Sequence, residues 1–517
     1  MEKLEKQVAN KPNSKMSSDE SAPEPLPKAQ DLSKVVQGTA ENLLNKLEEN
    51  LEQKGQPELP EDQLLQSSAP GPLDQEGKNV EDVLNIISQS IFREGEGHIL
   101  LKLCDRSSLL SVVSHSLSAY ITTLEPIPLQ RLSARIAAEI SIWMCHLFKF
   151  NDGAAFCHDD TREGLVKITR MALHRNYPKM VHDGFEALFS RPPVIYLTSN
   201  TYVDIAHYVC VQLGLPMSTV RVLRPDLDQE EAINAVFEED RAAGRLPILC
   251  MANVHSSLFQ SFNPSIFEKV CKQQNIWLHL EGHALASLAL LHDQVPNLVN
   301  ADSLSLTIGS WIGVPAVPFV TLYKIIGMED IASIAGLSTV NPSVRLNCLP
   351  LWCVMRSLGV EQFKSRINNI FEMMEVLNHK ITEFSSLRIL SQRPEQKVFV
   401  NVQDFAKEDF DVSNIFKTVS PALAFQYVSN NPPDVRDRVP DYFNNLNSWL
   451  GQTMQRDVGQ VSFKKIVKRQ HKCIFCDFCD LTSFFFFRFP LKLLMWKRQD
   501  MFFVFVPSKA LHFPASV

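Results

Sequence analysis

From about residue 80 onward, apolar positions recur at helical spacing. Val83, Leu84, Ile87 and Ile91, then Leu109 to Leu117 and Leu132 to Phe148, predict successive amphipathic helices. Beyond residue 190 the period shortens. Val194–Leu197, Thr219–Val222, Pro247–Met251, Ile276–Leu280 and Leu304–Ile308 read as buried strands, and the stretches near Ile205–Leu213, Glu230–Ala243 and Pro264–Gln274 as helices between them. Strands separated by crossover helices predict a parallel α/β sheet. After Pro342 the pattern gives a long helix, Leu349–Ser385, strands near Leu387–Leu390 and Val398–Val402, a helix at Tyr442–Met454 and a strand at Val461–Ile466. That order predicts a smaller α+β domain.

The two ends follow neither pattern. Residues 1–75 are rich in Glu, Lys, Gln, Ser and Pro, too polar to bury a core against the entropy of ordering, and read as a disordered arm. Leu43, Leu44, Leu47 and Leu51 within it are spaced for one short helix. Residues 471–517 hold 11 of the 32 phenylalanines, including Phe484–Phe487, and neither alternate nor cap like what precedes them. The expected organisation is an arm (1–75), a helical segment (76–150), a large α/β domain (151–340), a small α+β domain (341–470) and a Phe-rich tail (471–517).

Composition narrows the function classes. A chain of 517 residues with 45% hydrophobic residues can build a large core, and a net charge of −7 with both signs dispersed gives no nucleic-acid footprint. No run reaches the ~18 apolar residues of a membrane span, because Arg488, Lys492, Lys497, Arg498 and Asp500 interrupt the apolar tail. Eleven scattered cysteines and a polar N-terminus predict a reduced, cytoplasmic protein. With 19 glycines, a site built of several glycine-rich phosphate loops is not expected.

Three stretches carry the candidate chemistry. Ile276-Trp-Leu-His-Leu-Glu-Gly-His283 reads as a buried strand ending in an acid, and in an open α/β sheet such ends face the ligand crevice. Ala301-Asp-Ser-Leu-Ser-Leu-Thr-Ile-Gly-Ser-Trp-Ile-Gly-Val-Pro315 is a second strand followed by a tight Gly-Ser turn, and Ala252-Asn-Val-His-Ser-Ser-Leu-Phe-Gln-Ser-Phe-Asn-Pro264 is a third segment of this kind. Together they resemble the large domain of the group II pyridoxal-phosphate-dependent decarboxylases, and within them the pyridoxal-dependent decarboxylase domain-containing proteins. The resemblance covers roughly residues 80–470. It implies an aspartate-aminotransferase-type fold, with a large parallel-sheet domain and a small C-terminal α+β domain, and a cleft that a dimer completes.

The resemblance also implies roles. A W-L-H-V-D-A-A strand in the family carries the acid that pairs with the pyridinium nitrogen, and Glu281 matches it, with His279 two residues before. Ser256 and Ser257 match paired threonines, and Thr307 a hydroxyl residue three before the Schiff-base lysine. At that lysine's own position stands Ser310, after Gly309. The expected cofactor contacts are thus Glu281, His279, Ser256, Ser257 and Thr307, with no catalytic residue. An imine needs an amine, which a hydroxyl cannot replace; the next lysine, Lys324, would have to reach back from the following strand. The family's phosphate nest corresponds to Gly153–Gly164, where Asp159 and Asp160 stand in place of glycines and put carboxylates beside a phosphate. The stacking histidine of the family falls at Val203, with His207 one turn further on.

Other readings rank lower. His279-x-Glu281-x-His283 suggests a metal, but two-residue strand steps of ~6.6 Å separate the side chains too widely for one ion. Cys473, Cys476 and Cys479 form C-x-x-C-x-x-C with no second knuckle, which favours chance over zinc. By family the function is decarboxylation of an amino acid using pyridoxal phosphate, impaired here by Ser310. The alternative is a non-catalytic interaction protein, a homodimer or a heterodimer with an active relative that supplies the lysine.

Overall fold

The computed structural model describes residues 77, 83, 105–198, 203–224, 229–254, 264–291, 300–325, 329–390, 422–427, 445–452, 462–468 and 471–477. The N-terminal arm, the helix expected at Val83–Ile91 beyond Val83 itself, the strand at Val398–Val402, Ser256, Ser257, Cys479 and Phe484–Phe487 lie outside these residues. Two compact units divide the chain, Met1–Leu101 and Lys102–Val517; nearly all described residues belong to the second. No helix among the described residues is long and apolar enough to cross a membrane.

Seven strands form the main sheet: β1 (Gly153–His158), β2 (Pro193–Leu197), β3 (Val220–Val222), β4 (Leu246–Asn253), β5 (Trp277–Glu281), β6 (Ser303–Leu306) and β7 (Phe319–Lys324), in the order β1-β7-β6-β5-β4-β2-β3. The run from β3 to β6 is parallel, each pair being a bonded parallel ladder. β7 is antiparallel to both neighbours, β6 and β1. The sheet is therefore mostly rather than wholly parallel. A parallel return needs a crossover of about a dozen residues, usually a long helix, and between β6 and β7 the chain forms only the five-residue helix Ile308–Ile312. That connection reverses the strand instead.

Strands buried on both faces read as continuous apolar runs, and the side-chain alternation explains why. On one face Val194, Tyr196, Cys250, Ala252, Leu278 and Leu280 join a core completed by Ile136, Ile140 and Met144. On the other, Ile195, Leu197, Leu249, Met251 and Trp277 pack against Leu165, Ile168, Ala172 and Val209. The helices supplying these residues include α2 (Pro126–Leu147), α3 (Thr161–Asn176) and α4 (Val203–Leu213), with α1 (Arg106–Ile121) preceding them. Helices α5 (Glu230–Ala242) and α6 (Pro264–Gln274) make the next crossovers, and Ile308–Ile312 is α7.

Three features depart from the sequence pattern. First, α1 buries serines, Ser107, Ser108, Ser111 and Ser114, and leaves Leu109, Val112, Val113, Leu117 and Tyr120 exposed. Its serine face lies against α8 (Leu349–Thr382), where Arg366 pairs with Asp105, the α1 N-cap. Small residues permit this close approach; the apolar stripe faces outward. Second, α8 is two helices joined at Gly359, whose φ of 66° breaks the single long helix expected from the pattern. Third, the small sheet β10-β11-β9-β8, from β8 (Leu387–Ile389), β9 (Ala422–Tyr427), β10 (Ser462–Lys468) and β11 (His471–Asp477), is antiparallel and crosses the boundary expected at 470. Backbone pairing of β11 with both β9 and β10 carries the small sheet to Asp477 despite the change in composition. Phe425 of β9 is fully buried in the same apolar cluster as Phe363 and Ile367, so the small sheet shares the main core.

Gly164 holds α3 against the sheet. A Cβ there would lie 2.5 Å from His158 Cε1 and 2.5 Å from Thr321 Oγ1, two groups bonded to each other at 2.7 Å in the interior. Gly164→Ala is expected to destabilise the protein by about 1–3 kcal/mol through overpacking, read as a lower denaturant midpoint at unchanged m.

Candidate active site

The parallel strands end on one edge of the sheet, and their last residues turn polar there. Thr198 follows β2, Asn253 ends β4, Glu281 ends β5 and Thr307 follows β6. Strand ends at this edge lack a further ladder partner, so polar side chains and backbone groups bond each other across it. Asn253 N donates to Thr198 Oγ1 at 3.2 Å, Asn253 Nδ2 to Glu281 Oε1 at 3.3 Å, and Val254 N to the Glu281 carbonyl at 2.7 Å. Gly282 follows with φ 120°, a backbone turn that a side chain would strain.

Beyond the turn, His283 Nδ1 accepts from Trp311 Nε1 at 3.2 Å and lies 3.5 Å from Thr307 Oγ1. Trp311 is fully buried on Phe148, ring centroids 5.7 Å apart. Arg366 of α8 donates to the Ile312 carbonyl at 3.1 Å. Packing from two sides therefore holds α7, which carries Ser310, beside Glu281's turn. Ser310 and Thr307 are half-buried at this edge. Gly309 leaves no room for a side chain, since a Cβ would lie 2.9 Å from the Val314 carbonyl oxygen.

Glu281 is half-buried, and loss of hydration pushes its carboxyl up to about 7, against the opposing pull of the Asn253 hydrogen bond and of His283. No cation is paired with it among the described residues. It is thus a proton-poised acid at a strand end in the crevice where such sheets bind ligands.

The human pyridoxal-dependent decarboxylase domain-containing protein 2 is 31% identical over 408 residues, 76% of this chain and 84% of that protein. The chain belongs to the pyridoxal-dependent decarboxylase domain-containing proteins. Human pyridoxal-dependent decarboxylase domain-containing protein 1 is also 31% identical, over 410 residues, and there the chain spans about half of the relative's length, 50%. Residues 419–485 match the family described as PDXDC1-like central domain. A crystal structure of Oryza sativa TDC with PLP and tryptamine superposes with a TM-score of 0.64 at 13% identity, covering 88% of this chain and 94% of that one. The fold is that of the pyridoxal-phosphate decarboxylases, and pyridoxal phosphate is the cofactor that family membership implies.

In this pyridoxal-dependent decarboxylase domain-containing protein the sequence-assigned residues separate into groups. Glu281 ends β5 and Thr307 follows β6 at the strand-end edge, with Ser310 three residues on in α7. His279 instead is fully buried, with Nδ1 2.8 Å from Ser303 Oγ and Nε2 3.2 Å from Ser305 Oγ. Burial holds it neutral, its pKa lowered to about 3. The expected ligand contact of His279 is corrected accordingly: both ring nitrogens are spent inside the sheet, and the ring supports β5 from beneath. The H-x-E-x-H residues thereby serve separate partners, His279 the serines, Glu281 the amide of Asn253 and His283 the indole of Trp311. His207 is exposed on α4.

Lys324 lies at the other end of the sheet. Antiparallel pairing takes β7 back past Ser303, and Lys324 Nζ donates to the Asn300 carbonyl at 3.2 Å and pairs with Asp302 at 3.5 Å. Five strand steps of ~3.3 Å, about 16 Å, separate Asp302 from Thr307, beyond a lysine's reach. At the α3 N-terminus, Asp160 is the N-cap, accepting from Arg162 N at 2.9 Å and pairing with the Arg162 guanidinium at 2.8 Å. Arg162 also lies 4.9 Å over the Tyr208 ring. Its guanidinium holds the Asp160 carboxyl below the usual range.

Asn253, Thr198 and Trp311 were not singled out by sequence reasoning. For Asn253 a signal existed: one polar residue closing the apolar run Leu249–Ala252.

The raised Glu281 pKa has a consequence for stability. The folded state binds the proton more tightly than the unfolded chain, so stability from this group is full below pH ~4.5 and is lost as pH rises toward 7, by about 3 kcal/mol in all at 1.36 kcal/mol per unit. Glu281→Gln is expected to remove that part of the decline, so that the difference in unfolding free energy between variant and wild type grows from pH 4.5 to 7.5 in urea titrations.

Proposed function

We propose that this member of the group II decarboxylase family has lost covalent pyridoxal phosphate chemistry and turns over no amino acid. The observation that carries the reading is Ser310 on α7 at the Schiff-base position, with Lys324 held at the opposite sheet edge. Pyridoxal phosphate supplies an electron sink when its ring nitrogen is kept protonated, and three ends of the group test the fit. Glu281 suits the ring nitrogen. At the aldehyde end Ser310 has no amine to give. At the phosphate end the Arg162 amide in the first turn of α3 already serves the Asp160 carboxylate, and the Arg162 guanidinium is paired to the same group, so a dianion there meets a fixed negative charge. Two of the three ends do not fit.

Absorbance spectroscopy of the full chain mixed with pyridoxal phosphate tests this. The spectrum of the free aldehyde is expected, with no internal-aldimine band, no borohydride-fixed adduct in the mass of the protein and no carbon dioxide from amino acids. A borohydride-trapped lysine adduct on the sheet edge would restore decarboxylation as the function.

The second reading, an interaction protein that pairs with a copy of itself or with an active relative, draws support from α1, whose Leu109, Val113, Leu117 and Tyr120 make an apolar stripe on the surface. The seven free cysteines among the described residues suit the cytoplasmic setting proposed with it. Light scattering coupled to size exclusion is expected to give a dimer that V113E/L117E converts to monomer at unchanged far-UV circular dichroism. A monomeric wild type would overturn the pairing.

A further inference from the structure

One buried acceptor at the strand-end edge has no donor. Asn253 is 8% exposed, and its amide orientation is set by donation of Nδ2 to Glu281 Oε1 at 3.3 Å. That leaves Asn253 Oδ1 buried with no hydrogen-bond partner among the described residues. An acceptor stranded in this way costs about 1–3 kcal/mol and is rare enough in folded proteins to need a cause. Glu281 receives only the Asn253 amide among the described side chains, so a carboxylate and an amide carbonyl stand side by side at the ends of neighbouring strands, both short of donors.

The chemistry of the missing partner follows from counting donors. A pyridinium ring has one N–H, which serves the carboxylate and leaves the amide oxygen bare. A primary ammonium has three, on a rotor that adapts to both acceptors, and its charge matches the carboxylate. We propose that the Asn253–Glu281 pair binds a small primary ammonium ion non-covalently, an inference that rests on the reading that no internal imine forms at this edge.

The charges around the pair agree with a cation. Asn253 on β4, Thr198 after β2, and Thr307 and Ser310 after β6 are neutral, and His279 beneath is held neutral by burial. His283 on the following turn accepts the Trp311 indole on Nδ1. Glu281 is then the one anionic group that the described strand ends bring to this spot. Because hydration loss raises its pKa to about 7, binding a cation draws the proton off the acid, and affinity depends on pH.

Isothermal titration of the full chain with n-butylammonium chloride tests the proposal, with n-butanol and butyltrimethylammonium as probes lacking the charge or the N–H groups. Saturable binding of the primary ammonium alone is expected, with about half a proton released per site at pH 7, read from buffers of different ionisation heat. Affinity is expected to fall about tenfold per pH unit below pH 6 and to level above pH 8. Glu281→Gln should weaken binding at least tenfold and abolish the pH dependence. Asn253→Leu should weaken it about tenfold and keep the dependence. Matching circular dichroism spectra of both variants exclude misfolding as the source. No saturable heat with the wild type, equal binding of butyltrimethylammonium, or unchanged binding by Glu281→Gln would each overturn the proposal. A borohydride-fixed pyridoxal adduct would instead overturn the imine-free reading beneath it, whereas absence of both adduct and ammonium binding defeats this inference alone.

Discussion

A carboxyl group withdrawn from water, with no cation paired to it among the described residues, is the constraint around which this edge of the protein is arranged. Glu281 ends the central strand of the sheet, and its neighbours hold it by one amide, one histidine field and a glycine turn. Such a group is costly unless something that binds there repays the desolvation. Stability alone would favour an apolar or amide residue at this position, so retention of the acid argues for a ligand.

The surrounding changes have a common direction. Ser310 stands where the family resemblance would put an amine, Gly309 is packed so closely on Val314 that a bulky residue has no room, and Asp160 with Arg162 closes the α3 N-terminus on itself. They fall in two elements, α7 and the N-terminus of α3, which lie at the same sheet edge. The scaffold beneath is fully kept: Trp277 and His279 bond Ser303, Trp311 packs on Phe148, and both faces of the sheet are covered. Under the proposed reading fold and site separate, which is physically simple because burial of the sheet uses none of the groups that would do the chemistry.

Much of the fold was legible in the chain because burial leaves a periodic trace. The strand at Val194–Leu197 and the helix at Pro264–Gln274 could be placed from apolar spacing alone. Helix α1 could not, since a serine face packs by size rather than by hydrophobicity and its outward leucines imitate a core stripe. β11 was hidden for a related reason: strand pairing is made by backbone groups, and an odd composition does not forbid it. At the site, Glu281 was visible as an acid closing an apolar run. The interior position of His279 was not, because strand alternation puts both residues on one face and says nothing about depth.

The amino-acid sequence by itself determined which groups exist: an acid, a hydroxyl and two aspartates at positions where the family resemblance implies the partner of a ring nitrogen, an amine and a phosphate nest. Residue identity is chemistry, and no folding alters it. Only the tertiary structure decided distances and directions. The reversal of β7 sends Lys324 to the far edge, Asp160 folds back onto its own helix, and Asn253 arrives beside Glu281 from a strand 28 residues away with one acceptor left over. Those outcomes depend on strand order and register, which arise from packing the whole sheet and leave no mark on any short stretch of the chain.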